Sequence, residues 1–251
     1  MPDSYETRLS THDEESVTVR GKDLTTEIMG EMDFGSAFVH LLSGETPTVA
    51  ERRLINAMLS SLMVHGTTPH AIATRLTLLS EPSSTQGAVA SGLLGVGSRF
   101  AGAMEQCATD LQAVAAADDR EAATAELVAA YRESEKRFSG IGHPEFDPVD
   151  PRAQRLFDLA DDADVTGDHV AILRDLQGAF EDEAGRDLPI NVTGAIGALA
   201  SDLGLAPEAA RGFAIVSRAA GLVAEVIEER ESPVGMDVWQ TVDERMTYVE
   251  D

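Results

Sequence analysis

Apolar residues recur at helical spacing along most of the chain. Leu54, Ile55, Met58, Leu59 and Leu62 give the clearest stripe. Just before it, Thr48-Val49-Ala50-Glu51 reads as a capping box, with Glu51 at the third helical position. Residues 68–80 and 86–96 predict two further apolar helices, and the Gly and Ala content of the second predicts burial against close neighbours. Residues 101–117 and 119–138 mix Ala and Leu with acids, the pattern of exposed helices. The twelve residues from Gly140 to Pro151 hold two Gly and three Pro, which no helix survives. Helices resume at 152–162 and 168–184. A loop, Gly185 to Pro189, then leads through Asn191-Val192-Thr193-Gly194 into another Gly/Ala-rich helix. The last long helix spans 206–230, with Pro207 near its start. The first 15 or so residues are polar and predict disorder, followed by an extended piece at Glu15–Val19, one strand of a hairpin. The fold class is all-α, and the lack of βαβ alternation argues against dinucleotide and phosphate-loop folds.

Composition narrows the partners. The net charge is -25, and Lys22 and Lys136 are the only lysines. Such acidity with so little lysine suggests the cytoplasm of a halophile, and it disfavours nucleic acid and anionic membranes, which need a basic face. Cys107 is alone, so neither an intrachain disulfide nor a cysteine zinc cluster can form. The six histidines lack ligand spacing, so no metal is expected. The start has neither the basic patch nor the apolar run of a signal peptide, and no apolar stretch is long enough to span a bilayer. A cytoplasmic protein is the expectation.

Three places carry candidate chemistry: Val64-His65-Gly66-Thr67-Thr68-Pro69-His70, where two histidines flank a helix break; the His143 loop; and the arginines Arg75, Arg99, Arg152 and Arg218. Arginine forks match carboxylates two bonds at a time, and a histidine can polarise a carbonyl or shuttle a hydroxyl proton. The plain alternatives are capping histidines and solvated arginines. On residue types alone, the chain is a helical acidic protein with a polyanionic ligand.

Several segments resemble the citrate synthase superfamily. Residues 91–105, Ser-Gly-Leu-Leu-Gly-Val-Gly-Ser-Arg-Phe-Ala-Gly-Ala-Met-Glu, resemble the citryl-CoA-cleaving module of ATP-citrate lyase and free-standing citryl-CoA lyases. Gly140-Ile141-Gly142-His143 with Asp150-Pro151-Arg152 resembles the family's substrate loop. Asn191-Val192-Thr193-Gly194 is similar to its Asn-Val-Asp-Gly motif, and Ser217-Arg218-Ala219-Ala220-Gly221 to its late arginine helix. The resemblance implies a large helical domain, 1–106 and 191–251, and a small lid domain, 107–190, carrying the His143 loop. It implies a homodimer or a dimer of dimers. The implied reaction is reversible cleavage of citryl-CoA, or a related 3-hydroxy-acyl-CoA, to acetyl-CoA and oxaloacetate or another 2-oxo acid. The CoA thioester enters as substrate, with no cofactor. His143, His65 and Thr193 take the catalytic positions, and Arg152 and Arg218 clamp carboxylates. Gly95, Gly97, Arg99, Phe100 and Gly102 lie on the CoA side.

The chain departs from the family at points that matter. Phe100 stands where synthases have a histidine, which points to cleavage. Thr193 stands where the catalytic aspartate belongs, and a threonine hydroxyl is no base near neutral pH. Asp187 is the nearest replacement in sequence. Arg230 is a weak counterpart for an arginine supplied across the dimer, and Pro144 follows His143 where an arginine is common. The alternative function is therefore a catalytically impaired relative that binds a CoA ester or citrate, as a partner subunit of a working enzyme. Fewer arginines would also suit a substrate with one carboxylate fewer.

Overall fold

The computed structural model describes residues 5–134 and 136–250. Residues 1–4 of the expected disorder, and Glu135 of the expected 119–138 helix, lie outside them. The rest of the N-terminus corrects that expectation. Ser10–His12 (β1), Val17–Val19 (β2) and Lys22–Asp23 (β3) form an antiparallel meander, with Ser10 opposite Val19 and Thr18 opposite Asp23. Asp13 closes the first turn by accepting from the Glu15 and Ser16 amides at 2.9 and 2.8 Å. Arg20 and Gly21, at φ 49° and 85°, supply the two positive φ values of a tight second turn. The Arg20 guanidinium then donates to the Leu41 and Leu42 carbonyls, at 2.9 and 3.0 Å. Polar turn bonds and one arginine order this segment, so hydrophobic periodicity does not report it.

After a π-helical turn, Leu24–Ile28, the chain is helical: α1 (Phe34–Ser43), α2 (Val49–Ser61), α3 (Pro69–Ser80), α4 (Thr85–Leu94), α5 (Gly102–Ala115), α6 (Arg120–Glu133), α7 (Pro151–Asp162), α8 (Asp168–Ala184), α9 (Val192–Asp202), α10 (Pro207–Glu231) and α11 (Gly235–Asp243). The capping box forms: Glu51 accepts from the Thr48 amide at 2.6 Å, and Thr48 accepts from the Glu51 amide at 3.3 Å. At the C-terminal end, Glu229 accepts from the amides of Val234 and Gly235 and so starts α11.

The core is built on α9, buried from Gly194 to Ser201, with α5, α7, α8 and α10 packed around it. This corrects the exposed reading of 101–117. Met104, Cys107, Ala108, Leu111 and Val114 of α5 are buried, and its acids are held at the edge. Asp110 accepts from the Tyr131 hydroxyl at 2.6 Å, and Glu105 pairs with Arg211 at 2.7 Å. The α6 helix has no buried residue, as its pattern predicts, but it ends at Glu133, and Phe138 of the expected 119–138 helix is buried outside it. The small-residue α4 lies close on its neighbours: a Cβ at Gly92 would fall 2.1 Å from Thr74 Oγ1 and 2.7 Å from Leu222 Cδ1. One continuous apolar core joins Leu111, Leu156, Leu173 and Leu176 to Leu54, Ile196 and Phe213. Among the described residues no helix is long and apolar enough to cross a membrane.

Candidate active site

A cleft of about 570 Å³ opens between the α2–α3 connection, the turn 97–101, the 137–144 loop and the N-terminus of α9. His65, His143, Thr193, Arg152, Arg218, Arg99 and Phe100 all line it, together with Thr68, His70, Arg137 and Asn191. Gly95, Gly97 and Gly102 do not. A side chain at Gly102 would strike the Arg211 guanidinium, with a Cβ 2.4 Å from Nη2, and one at Gly95 would crowd the His70 Cβ at 3.3 Å. Gly95 thus lets α4 approach α3, Gly102 leaves room for Arg211, and a Cβ at Gly97 would meet only open space. Asp187 and Arg230 also lie away from the cleft; Arg230 donates to the Pro82 carbonyl and Thr85 hydroxyl at 3.0 and 2.9 Å.

The His143 loop is held by short-range geometry and two buried polar residues. Gly142 sits at φ 84°. Its amide donates to the Pro189 carbonyl at 2.7 Å, and the Asn191 amide donates to the Gly140 carbonyl at 3.1 Å. Asn191 caps α9 through the Gly194 amide at 3.1 Å and donates to the Ser139 and Gly142 carbonyls at 3.0 and 2.8 Å. A Cβ at Gly194 would lie 2.3 Å from the Gly140 carbonyl oxygen, so only a glycine lets the loop rest on α9 here. Asp150, fully buried, caps α7 and accepts from the Val192 amide of α9 at 3.0 Å. It also holds Arg152, accepting from Nε at 3.0 Å and Nη2 at 2.9 Å. Burial alone would raise the Asp150 carboxyl, but Arg152 and the amides of Arg152 and Val192 outweigh it and keep the carboxyl low.

His143 Nδ1 accepts from the amides of Glu145 and Phe146, at 3.0 and 3.1 Å. A nitrogen used that way carries no proton, so the neutral ring bears its proton on Nε2. Arg152 Nη2 stands 3.2 Å from that Nε2. Two N–H donors thus converge with no acceptor between them, and an anionic oxygen placed there would satisfy both. Burial, with Arg152 and His65, lowers the His143 pKa against the opposing pull of Asp150 and Glu145, which favours the neutral ring. Phe146 supports the pair from beneath, 4.6 Å from the His143 ring and 5.1 Å from the Arg152 guanidinium carbon. His65 stands edge-on to His143 at 6.1 Å, with its Nε2 3.8 Å from Glu145. Arg218 is half-buried and has no hydrogen bond or ion pair among the described residues. Burial pulls its pKa down, opposed by Glu225 and reinforced by Arg152. Asp and Glu are absent from the described cleft lining, which carries four arginines and three histidines. No group of three His, Cys, Asp or Glu side chains among the described residues is placed to hold a metal.

A family model described as citrate synthase, C-terminal domain, matches residues 14–236. The chain belongs to the citrate synthase family. Within it the protein is citryl-CoA lyase-like: the citryl-CoA lyase of Hydrogenobacter thermophilus is 32% identical and superposes with a TM-score of 0.87, over 98% of this chain and 95% of that one. ATP citrate lyase from Methanothrix soehngenii, 19% identical, shares the fold at a TM-score of 0.83; this chain spans 42% of it. Thermotoga maritima citrate synthase, 21% identical, gives 0.64 over 80% of this chain and 55% of that one. A search of curated protein sequences gives no match.

The family motifs thus point to residues that share one cleft. Sequence reasoning assigned no role to Asp150, Phe146 or Asn191. The Asp150-Pro151 pair carried a helix-start signal that pointed to the first. Phe146 had no sequence signal.

Proposed function

We propose that this citrate synthase-family protein cleaves citryl-CoA to acetyl-CoA and oxaloacetate, reversibly. One observation carries the reading. In a chain of net charge -25, the described lining of the cleft holds four arginines and three histidines and no Asp or Glu, with Asp150 and Glu145 set behind Arg152 and His65. Coulomb energy alone would scatter acids there too; their exclusion fits a polycarboxylate ligand.

Arg152 and Arg218 bind the carboxylates of the citryl group. The His143 Nε2–H donates to the tertiary oxygen, which becomes the carbonyl of oxaloacetate. With its Nδ1 engaged by two amides, His143 is a donor here, so His65 takes the hydroxyl proton. The bond between the tertiary carbon and the acetyl carbon then breaks, and its electron pair passes to the acetyl-CoA enolate. A water held at the Thr193 hydroxyl delivers the carbon proton, and the proton taken up by His65 passes back to restore that water, so the site ends as it began. No cofactor beyond the CoA thioester takes part. The CoA chain runs past Arg99 and Phe100 into a second cavity of about 570 Å³, which shares Arg137, Phe138 and His143 with the first. Arg132, Lys136 and Arg186 line this second cavity beside Tyr131 and Phe180, a setting for phosphates and a base. On a division into a large domain, 1–106 and 191–251, and a small domain, 107–190, the cleft lies at their junction, since both segments contribute to its lining. Ile215, Val223 and Ile227, an exposed apolar stripe on α10, support a homodimer. The acidic surface supports a salt-rich cytoplasm.

Thr193 and the acid-free lining favour a second reading, a relative that binds citryl-CoA without turning it over. The experiment is acetyl-CoA release from citryl-CoA in molar KCl, wild type beside Thr193→Asp. Release by wild type establishes the lyase. Release by the aspartate variant alone establishes the binding protein. Silence from both, with folded protein, rejects citryl-CoA.

A further inference from the structure

One buried group in the cleft has no part in the steps above. His70 is the second residue of α3 and is 2% exposed. Among the described residues, neither of its ring nitrogens has a hydrogen-bond partner. Leaving a buried polar group unpaired is costly, so a native protein rarely keeps one without a use. The helix that carries His70 is itself open at the same end. Its N-cap, Thr68, makes no side-chain cap, and the Thr68 hydroxyl is buried and unpartnered. Pro69 brings no N–H to the first turn. Thr68 and His70 both line the cleft, and the His70 ring stands edge-on to Phe100 at 5.6 Å. Burial, with Arg218 and His65, holds the His70 pKa down at about 4, so its imidazole is neutral at working pH.

A neutral imidazole of low basicity is a poor acceptor for a carbon-bound proton. It is well suited to donate N–H to an oxygen that gains charge, because it need not be deprotonated or desolvated when that charge appears. We propose that His70 is a catalytic residue that donates a hydrogen bond to the thioester oxygen of the acetyl-CoA unit as the enolate forms, with the open first turn of α3 and the Thr68 hydroxyl beside it. The proposal rests on the citryl-CoA reading for the identity of the acyl group. No proton need leave His70. The electron pair of the broken C–C bond moves onto the thioester oxygen, and the hydrogen bond strengthens as it does.

The test compares two CoA thioethers. Carboxymethyl-CoA carries an anionic oxygen near the position of the enolate oxygen, and S-ethyl-CoA carries none. Calorimetry of both with wild type, His70→Phe, His70→Leu and His70→Gln is read beside thermal unfolding. Wild type should prefer the carboxylate probe. The Phe and Leu variants should lose that preference by about 10-fold to 10²-fold, the range for a hydrogen bond to a charged group. S-ethyl-CoA should bind all four alike. His70→Gln keeps an N–H donor and should keep part of the preference. In turnover, His70→Phe should lower kcat by about 10²–10³. His70→Phe should melt at or above wild type, because it removes an unsatisfied buried group and keeps the aromatic contact. A preference unchanged in the Phe variant would overturn the proposal, as would its absence from wild type. Failure of both apolar variants to fold would also overturn it, since it would give His70 a structural role. If wild type shows the His70-dependent preference but does not cleave citryl-CoA, the substrate reading falls and the oxyanion site stands.

Discussion

Two clusters of charge lie on the same pair of helices and are built in opposite ways. On α3 and α10, Arg75 meets Glu225, Glu228 and Glu229; its Nε donates to Glu225 at 2.6 Å and its Nη1 to Glu229 at 2.9 Å. Burial tends to lower the Arg75 pKa, but the three glutamates raise it further than burial lowers it. Toward the other end, the same helices carry His70 and Arg218, which face the cleft with no hydrogen-bond partner for their charged or polar ends among the described residues. The first cluster is closed. Every charge is paired, and Glu229 also starts α11. The second is open, and its polar groups are desolvated without compensation. The chain contains ample carboxylate to pair Arg218, as the Arg75 cluster demonstrates. Open cations in such a chain are therefore held for a ligand, and paired ones for the fold.

The contrast can be broken most forcefully at the open end. Substituting Ala for His143 should lower citryl-CoA cleavage by about 10²–10³, the range for loss of one positioned hydrogen-bond donor to a reacting oxygen. Its unfolding midpoint should move little, because the loop is tied down by Asn191 and Asp150. Steady-state kinetics beside denaturant unfolding would separate the two effects, and a variant that unfolds without losing activity per folded molecule would refute the assignment. At the closed end, Arg75→Met should do the reverse. It leaves Glu229 buried with no cation, at a cost of about 3–5 kcal/mol. Cleavage per folded molecule should be unchanged. Urea unfolding at neutral pH checks this, and a loss below about 1 kcal/mol would mean that water already screens the cluster.

How much of this contrast can be read from the sequence depends on the range of the interaction. The Thr48 capping box, the apolar stripe of α2 and the break at Gly140–Pro151 are local, and each appears as written. The expected hairpin strand appears as β2, but β1 and β3 are hidden because turn bonds at Asp13 and the reach of Arg20 to Leu41 hold them, and neither leaves a periodic trace. The burial of α5 does not show in its pattern because its acids find distant partners, Asp110 a hydrogen bond from Tyr131 and Glu105 an ion pair with Arg211. In the site, motif order was enough to name the family and to gather His65, His143, Arg152 and Arg218. It could not tell a closed arginine from an open one. Arg75 and Arg218 look alike in a sequence, and only the fold pairs the first with three glutamates, while among the described residues none forms an ion pair with the second. The proton position on His143 likewise follows from the amides of Glu145 and Phe146, which a motif does not report.

A smaller effect comes from acid. The folded pKa of His70 is depressed to about 4, while an unfolded histidine titrates near 6.5. Between these values the unfolded chain binds a proton that the folded chain does not, so stability falls as pH falls through this window and is fully present above it. The ceiling is about 3 kcal/mol, reduced by water screening across the open cleft. Carboxylates throughout the chain add their own acid dependence, so the informative quantity is the difference between wild type and His70→Phe. Urea unfolding from pH 7 to pH 4 should show wild type losing more than the variant. Parallel curves would mean that the fold does not depress the His70 pKa, and that the ring is not held neutral below pH 6.5.

The smallest shift in stability should come from Arg218→Met. The side chain is half-buried, burial disfavours its charged form, and no hydrogen-bond partner among the described residues is lost with it. Methionine keeps the volume and removes the desolvation cost, so stability should rise by about 0.5–2 kcal/mol, the usual range when a residue serving function is replaced. Binding should move the other way. Citrate at a hundredfold excess over its Kd should stabilise wild type by about 2.7 kcal/mol through mass action. The methionine variant should show little of this gain. Thermal unfolding with and without citrate measures both quantities on one sample. If Arg218→Met destabilised the protein while citrate still protected it, Arg218 would belong with Arg75 as part of the scaffold, and the line drawn between the two ends of α3 and α10 would have to be moved.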